Sequence, residues 1–138
     1  MRIFSAVVLA LGSTVLLGSL NPNAKASEWD KKTIVTFHEP VEIPGHVLLP
    51  GTYVFSVEDT LSERNVVDVW SNDGTRLLAT VVAVSATRNN STDTTTFVFE
   101  RRDSHSPEAI EDWFYPGDLN GEKFIYPTSP APSPTVLR

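Results

Sequence analysis

The feature that most constrains this chain is an alternation of apolar and polar residues, cut every few positions by proline, glycine or a polar turn. In "KKTIVTFHEP" Val35 and Phe37 share one face and Ile34, Thr36 and His38 take the other, until Pro40 interrupts and a short strand at Val41 to Ile43 follows. Pro44-Gly45 and Pro50-Gly51 read as two turns around a short apolar piece, and Tyr53, Phe55 and Val57 then line one face of the next strand. "NVVDVWSNDGTRLLATVVAVS" predicts a hairpin in which Gly74 takes the left-handed position of the turn. Its second arm, Leu77 to Val84, is apolar on both faces and predicts a central strand covered on both sides. Phe97 to Phe99 and Lys123 to Tyr126 read as two further strands. A period of two sustained this far predicts an all-β domain, either a small antiparallel barrel or a two-layer sandwich, of about seven strands.

One segment carries a different period. Ser106 suits a helix N-cap, Pro107 the first helical position and Glu108 the positive end of the helix dipole; Ile110, Trp113 and Phe114 then fall on one helical face, and Pro116-Gly117 ends the run. This predicts one short helix in the C-terminal region, plugging an open end of the fold or covering an edge strand. Its aromatics would pin a segment too short to be stable alone, with Trp113 and Phe114 as anchors and Tyr115 and Tyr126, each just before a proline, at the surface.

The first residues concern destination rather than fold. Arg2 precedes an uncharged run from Ile3 to Leu20, and Ala24-Lys25-Ala26 then supplies an A-x-A site, the pattern of a secretory signal peptide cleaved after Ala26. No cysteine follows, which excludes a lipid anchor, and the expected location is secreted or periplasmic with no stable membrane insertion after cleavage. Taking 26 from 138 residues leaves 112, read as a single β domain over 27–127 and a disordered proline-rich tail over 128–138. Without Arg2 and Lys25 the processed chain has nine basic against 17 acidic residues, a net charge of −8 that disfavours nucleic acid and anionic lipid as partners. The absence of cysteine removes disulfides, thiolate nucleophiles, iron–sulfur clusters and thiolate metal sites together.

Three separated blocks, "EWDKKTIVTFHEPVEIPGHVLLPGTYVF", "NVVDVWSNDGTRLLATVVAV" and "PEAIEDWFYPGDLNGEKFIYP", occur in this order. Together they resemble a family of small secreted proteins of soil bacteria, over most of the processed chain except the tail. The resemblance implies a secreted, bacterial, single-domain protein and brings no catalytic residue to carry over.

Candidate sites are few. Trp70 falls by alternation on the face of Val66 and Asp68, opposite Val67 and Val69, and with Tyr115 and Tyr126 it forms the set of candidate ligand-binding surface aromatics. His38, Glu39, Glu42 and His46 lie close in sequence, but Pro40 and Pro44 forbid the helix that a zinc motif of that spacing needs. His38 and His46 stay as weak metal candidates, as do Asp118, Asn120 and Glu122, which alternate like part of a calcium loop. Glu39, Glu42, Glu100 and Asp118 offer only an unspecific choice of acid pair, and Arg101-Arg102 beside Glu100 and Asp103 reads as a charge-balanced strand end. No nucleophile elbow, H-E-x-x-H, phosphate-binding loop or dinucleotide fingerprint is present, and no cofactor is expected. The favoured reading is a non-catalytic binding or interaction module of the bacterial envelope, with an envelope protein, peptide or saccharide as partner. Two alternatives stand beside it: a small secreted hydrolase or metal-dependent enzyme using His38, His46 and nearby carboxylates, and a structural subunit assembling through its sheet edges.

Overall fold

The computed structural model describes residues 23–27, 31–58, 65–128 and 135–137. The apolar leader through residue 22, Trp29 and the proline-rich stretch 129–134 lie outside the described residues. The described residues are all β, with eleven strands: β1 Asn23–Ser27, β2 Lys32–Phe37, β3 Val41–Ile43, β4 His46–Leu48, β5 Gly51–Glu58, β6 Asn65–Trp70, β7 Leu77–Thr87, β8 Thr96–Glu100, β9 Glu108–Phe114, β10 Asn120–Phe124 and β11 Thr135–Leu137. They form one mixed sheet in the order β1-β2-β5-β6-β7-β10-β9-β3-β4-β11, with β8 also on β9. Only β3 with β9 and β4 with β11 pair in parallel. No ladder among the described residues joins the ends, so the sheet is not closed. Four strands lie beyond the expected seven: β4 in the piece between the two proline–glycine turns, β9 in place of the helix, β1 at the processing site and β11 in the tail. Thr135–Leu137, in the segment expected to be disordered, is a strand because the prolines stop at Pro134 and three residues with free N–H groups follow.

The sheet curls so that its inner face packs on itself. Phe55 stands at the centre, its ring centroid 5.6 Å from Phe97, 5.8 Å from Trp113, 6.1 Å from Phe37 and 6.5 Å from Phe124. Trp113 is 1 % exposed and stacks on Phe97 at 6.1 Å. Val35, Ile43, Leu48, Val67, Val69, Val81 and Ile110 fill the rest of this core. At about 25 cal/mol for each Å² of apolar surface removed from water, such burial is what holds a chain without disulfides.

The expected helix at Ser106 to Phe114 is instead β9. Its ladder to β8 explains why the sequence misleads: Thr96, Phe97 and Val98 face Phe114, Trp113 and Asp112, but Phe99 faces Ile110, so Glu111 is an extra residue. The bulge resets the alternation, and Ile110 and Trp113, three apart, both point inward. Anchorage by Trp113 and Phe114 holds, in a strand. Phe114, 3 % exposed on the other face, is covered by the Arg88 guanidinium 4.7 Å from its ring centre. A second correction concerns β7. It lies between β6 and β10, yet only Ala79, Val81 and Ala83 are buried; Leu77 is 47 % and Val82 41 % exposed, so its outer face is open.

All three tyrosines of the chain donate their hydroxyls to main-chain carbonyls. Tyr53 donates to Leu49 O at 2.6 Å before β5, and Tyr115 donates to Lys32 O at 2.8 Å, tying the end of β9 to β2. Tyr126 sits where the edge of β9 passes from β10 to β3, its hydroxyl 2.7 Å from Ile110 O and 3.1 Å from Glu42 O. Neither Tyr115 nor Tyr126 is the surface aromatic that a neighbouring proline suggested: Tyr115 is 7 % exposed, and Tyr126 is half-buried with Arg102 4.3 Å above its ring. Burial pushes the Tyr126 phenol up, so it stays protonated as a donor.

Candidate functional site

The open outer face of β2, β5, β6 and β7 carries Trp70. Because Tyr53, Phe55, Val67 and Val69 point into the core, their neighbours Val54, Ser56, Asp68 and Trp70 point outward. The ladders align Ile34 with Val54, Val54 with Trp70, and Trp70 with Leu77. The last match depends on a bulge that leaves Leu78 as the extra residue, packed partly against the core, and places Leu77 beside the indole. The result is a cross-strand apolar row, with Ile34 and Leu77 each 47 % exposed at its ends.

A buried polar row runs beside it. Trp70 Nε1 donates to Ser56 Oγ at 3.1 Å, and Thr80 Oγ1 donates to Asp68 Oδ1 at 2.7 Å. Ser56 is 5 % and Asp68 9 % exposed, although both lie on the outer face. The hydrogen bond fixes the indole, so one ring face is presented without a further loss of side-chain freedom. A groove of about 410 Å³ opens here, walled by Trp70, Val54, Ser56, Lys32, Glu58 and Gly74.

The turn of the β6–β7 hairpin adjoins this groove and walls a second cleft of about 530 Å³, lined by Thr52, Tyr53, Ser71, Asn72, Asp73, Thr75 and Arg76. Gly74 has a φ of 73°, as the sequence requires of this turn, and its N–H donates to Ser71 O at 2.8 Å. Asp73 Oδ1 accepts from Ser71 Oγ at 2.7 Å, Thr75 Oγ1 at 2.8 Å and Thr75 N at 3.1 Å. These donors, the Ser71 hydroxyl foremost, lower the Asp73 pKa to about 2 and keep the carboxylate charged. The turn is thus stiff, and it presents hydroxyl, carboxamide, carboxylate and guanidinium groups together. Sequence reasoning treated Asn72-Asp73-Gly74 only as a turn; the density of polar side chains in "SNDGTR" was the available signal.

The other candidates do not assemble. His38 is exposed just after β2, and His46 lies on β4, with Ile43 as its register partner on one side and Thr135 on the other. Asp118 pairs with Lys31 at 3.4 Å, Asn120 Oδ1 accepts from Thr87 Oγ1 at 3.4 Å, and Glu122 belongs to the β10 ladder; a strand, not a calcium loop, begins at Asn120. Among the described residues no group of three or more histidine, aspartate or glutamate side chains is placed to hold a metal ion. Glu42 lies 3.5 Å from Arg102, with its carboxyl raised by burial against the pull of that guanidinium, and Arg101 pairs with Glu108 at 2.9 Å. No family model matches the chain, and neither curated proteins nor solved structures gave a match.

Proposed function

We propose that this chain is a non-catalytic binding module of the bacterial envelope or exterior, and that its ligand is a saccharide held between the Trp70 face and the β6–β7 turn. The observation that carries the reading is the indole of Trp70, fixed by Ser56 on an open sheet face and adjoining a turn of charged, hydroxyl and amide groups. A sugar ring has an apolar face that stacks on an indole and an edge of hydroxyls that needs donors and acceptors together, and the two clefts offer both. Export is the part that rests on the leader and on the resemblance described above. In architecture we read the curled sheet as a barrel opened along the seam where Tyr115, in place of a ladder, reaches β2.

The test is a titration of the processed protein with soluble fragments of envelope polysaccharides, with peptides of similar size as comparison, followed by tryptophan emission and calorimetry. Saturable binding of a saccharide that weakens at least tenfold in Trp70→Ala is the expected result. No saturation by any saccharide, or undiminished binding by Trp70→Ala, overturns it.

A further inference from the structure

Strand β1 covers the outer edge of β2, in a register that runs from Asn23 opposite Thr36 to Ser27 opposite Lys32. The same five residues contain Ala24-Lys25-Ala26, the processing site read from the sequence. Cleavage after Ala26 therefore removes every residue of β1 except Ser27 and bares the edge it covered. This step rests on the leader reading used under the proposed function.

The geometry of that edge is defined by its neighbour. Lys31 O accepts from Val57 N at 3.4 Å, so by alternation the odd-numbered residues of β2 turn their main-chain groups to β5. Lys32, Ile34 and Thr36 turn theirs to the side that β1 vacates. Tyr115 Oη already donates to Lys32 O, and the N–H and C=O of Ile34 and Thr36 lie in the middle of the bared stretch. An uncovered edge of this kind templates another strand.

We propose that the processed chain dimerises by antiparallel pairing of β2 with β2 of a second copy, about a two-fold axis through Ile34. In this register Ile34 faces Ile34 of the second copy, Lys32 faces its Thr36 and Thr33 faces its Val35. Three properties of the strand favour a second copy over an unrelated peptide. The hydrogen-bonding residues are the even-numbered ones, and this register pairs even with even, so both ladders and both faces match without a shift. Strand β2 holds no acidic residue, so two strongly acidic chains meet where no β2 carboxylate opposes another. Ile34, 47 % exposed in the single chain, covers its own counterpart, and the apolar row through Val54, Trp70 and Leu77 runs unbroken across the axis.

The experiment is export of the full-length gene product from a bacterial host, determination of its N-terminus by mass spectrometry, and light scattering after size exclusion over a dilution series. The expected result is an N-terminus at Ser27 and a doubled mass that halves on dilution. Ile34→Lys, which sets two like charges on the axis, is expected to stay monomeric at every concentration. In case that variant fails to fold, amide exchange of the wild type gives an independent readout: Ile34 and Thr36 are protected in the concentrated sample and lose protection on dilution. A Ser27 terminus with a monomer throughout overturns the dimer and leaves the leader reading intact. A retained Asn23–Ala26 segment overturns both. A dimer that persists in a folded Ile34→Lys variant, or that shows no protection at Ile34 and Thr36, overturns the β2 pairing.

Discussion

Gly121→Ala tests whether the junction of β9 and β10 is as tight as the packing implies. Gly121 is buried between Ala86 of β7 and Phe114 of β9. A methyl group added there runs into the carbonyl oxygen of Trp113 and comes within 2.6 Å of Phe114 Cδ1. A carbonyl held in a sheet cannot swing aside as a long side chain can, and the Phe114 ring is 3 % exposed, with Arg88 against it. Relief therefore requires the strands to part, although only Gly121, Glu122 and Lys123 pair β10 to β9. The cost belongs at the upper end of the overpacking range, about 3 kcal/mol. For a domain of this size that is a fall in Tm of roughly 10 to 20 °C. Gly74→Ala is the control, because its φ of 73° carries a conformational penalty but nothing lies within 4 Å of the added methyl. It should cost about 1 kcal/mol from backbone strain alone. Urea unfolding followed by circular dichroism, with thermal melts, separates the two. If the variants fall within about 0.5 kcal/mol of each other, the close approach of β10 to β9 described above is wrong.

Three further outcomes are expected. Tyr126→Phe keeps the ring beneath Arg102 but removes the donor serving Ile110 O and Glu42 O, a loss of about 1 to 3 kcal/mol by urea unfolding; an unchanged midpoint would mean the hydroxyl satisfies nothing. Acrylamide should quench a component of tryptophan emission that disappears in Trp70→Phe and survives in Trp113→Phe, since Trp113 is 1 % exposed; equal losses in both variants would contradict the open outer face. The Asp73 carboxyl should titrate near pH 2 by NMR, below its unfolded value of about 3.9. Its contribution to stability is then complete above about pH 4 and falls away as the pH drops toward 2, and a midpoint at the unfolded value would show that the Ser71 and Thr75 donors are not engaged.

The parts of this fold that are legible in sequence are those decided locally. The β6–β7 hairpin follows from turn chemistry and alternation that agree, and alternation alone groups Val35 with Phe37 and sets Trp70 opposite Val67 and Val69, while which face is covered is decided by the packing. Apolarity on both sides of Leu77 to Val84 suggested two covered faces, but coverage depends on whether another layer exists, and Val82 is 41 % exposed. The proline rule failed for Tyr115 and Tyr126 for a related reason. Their hydroxyls donate to the carbonyls of Lys32 and Ile110, which only the meeting of separate strands brings within reach.

The error at β9 is the most instructive, because its local signals were sound and still pointed elsewhere. Ser-Pro-Glu followed by apolar residues three and four apart satisfies a helix start, and nothing between Glu108 and Phe114 distinguishes a helical turn from a strand with one residue too many. What distinguishes them is the demand made by β8, whose Phe97 must stack on Trp113 while Phe99 pairs with Ile110. Glu111 is expelled at the bulge, where its carboxylate meets Lys123 Nζ at 2.7 Å. The same dependence governs the candidate site. Trp70 is placed by its own strand, but its row of neighbours exists only because β2, β5 and β7 arrive in matching register and Leu78 is left over. A side chain's face is thus readable from its own strand, while its neighbours are set by registers between segments far apart in the chain.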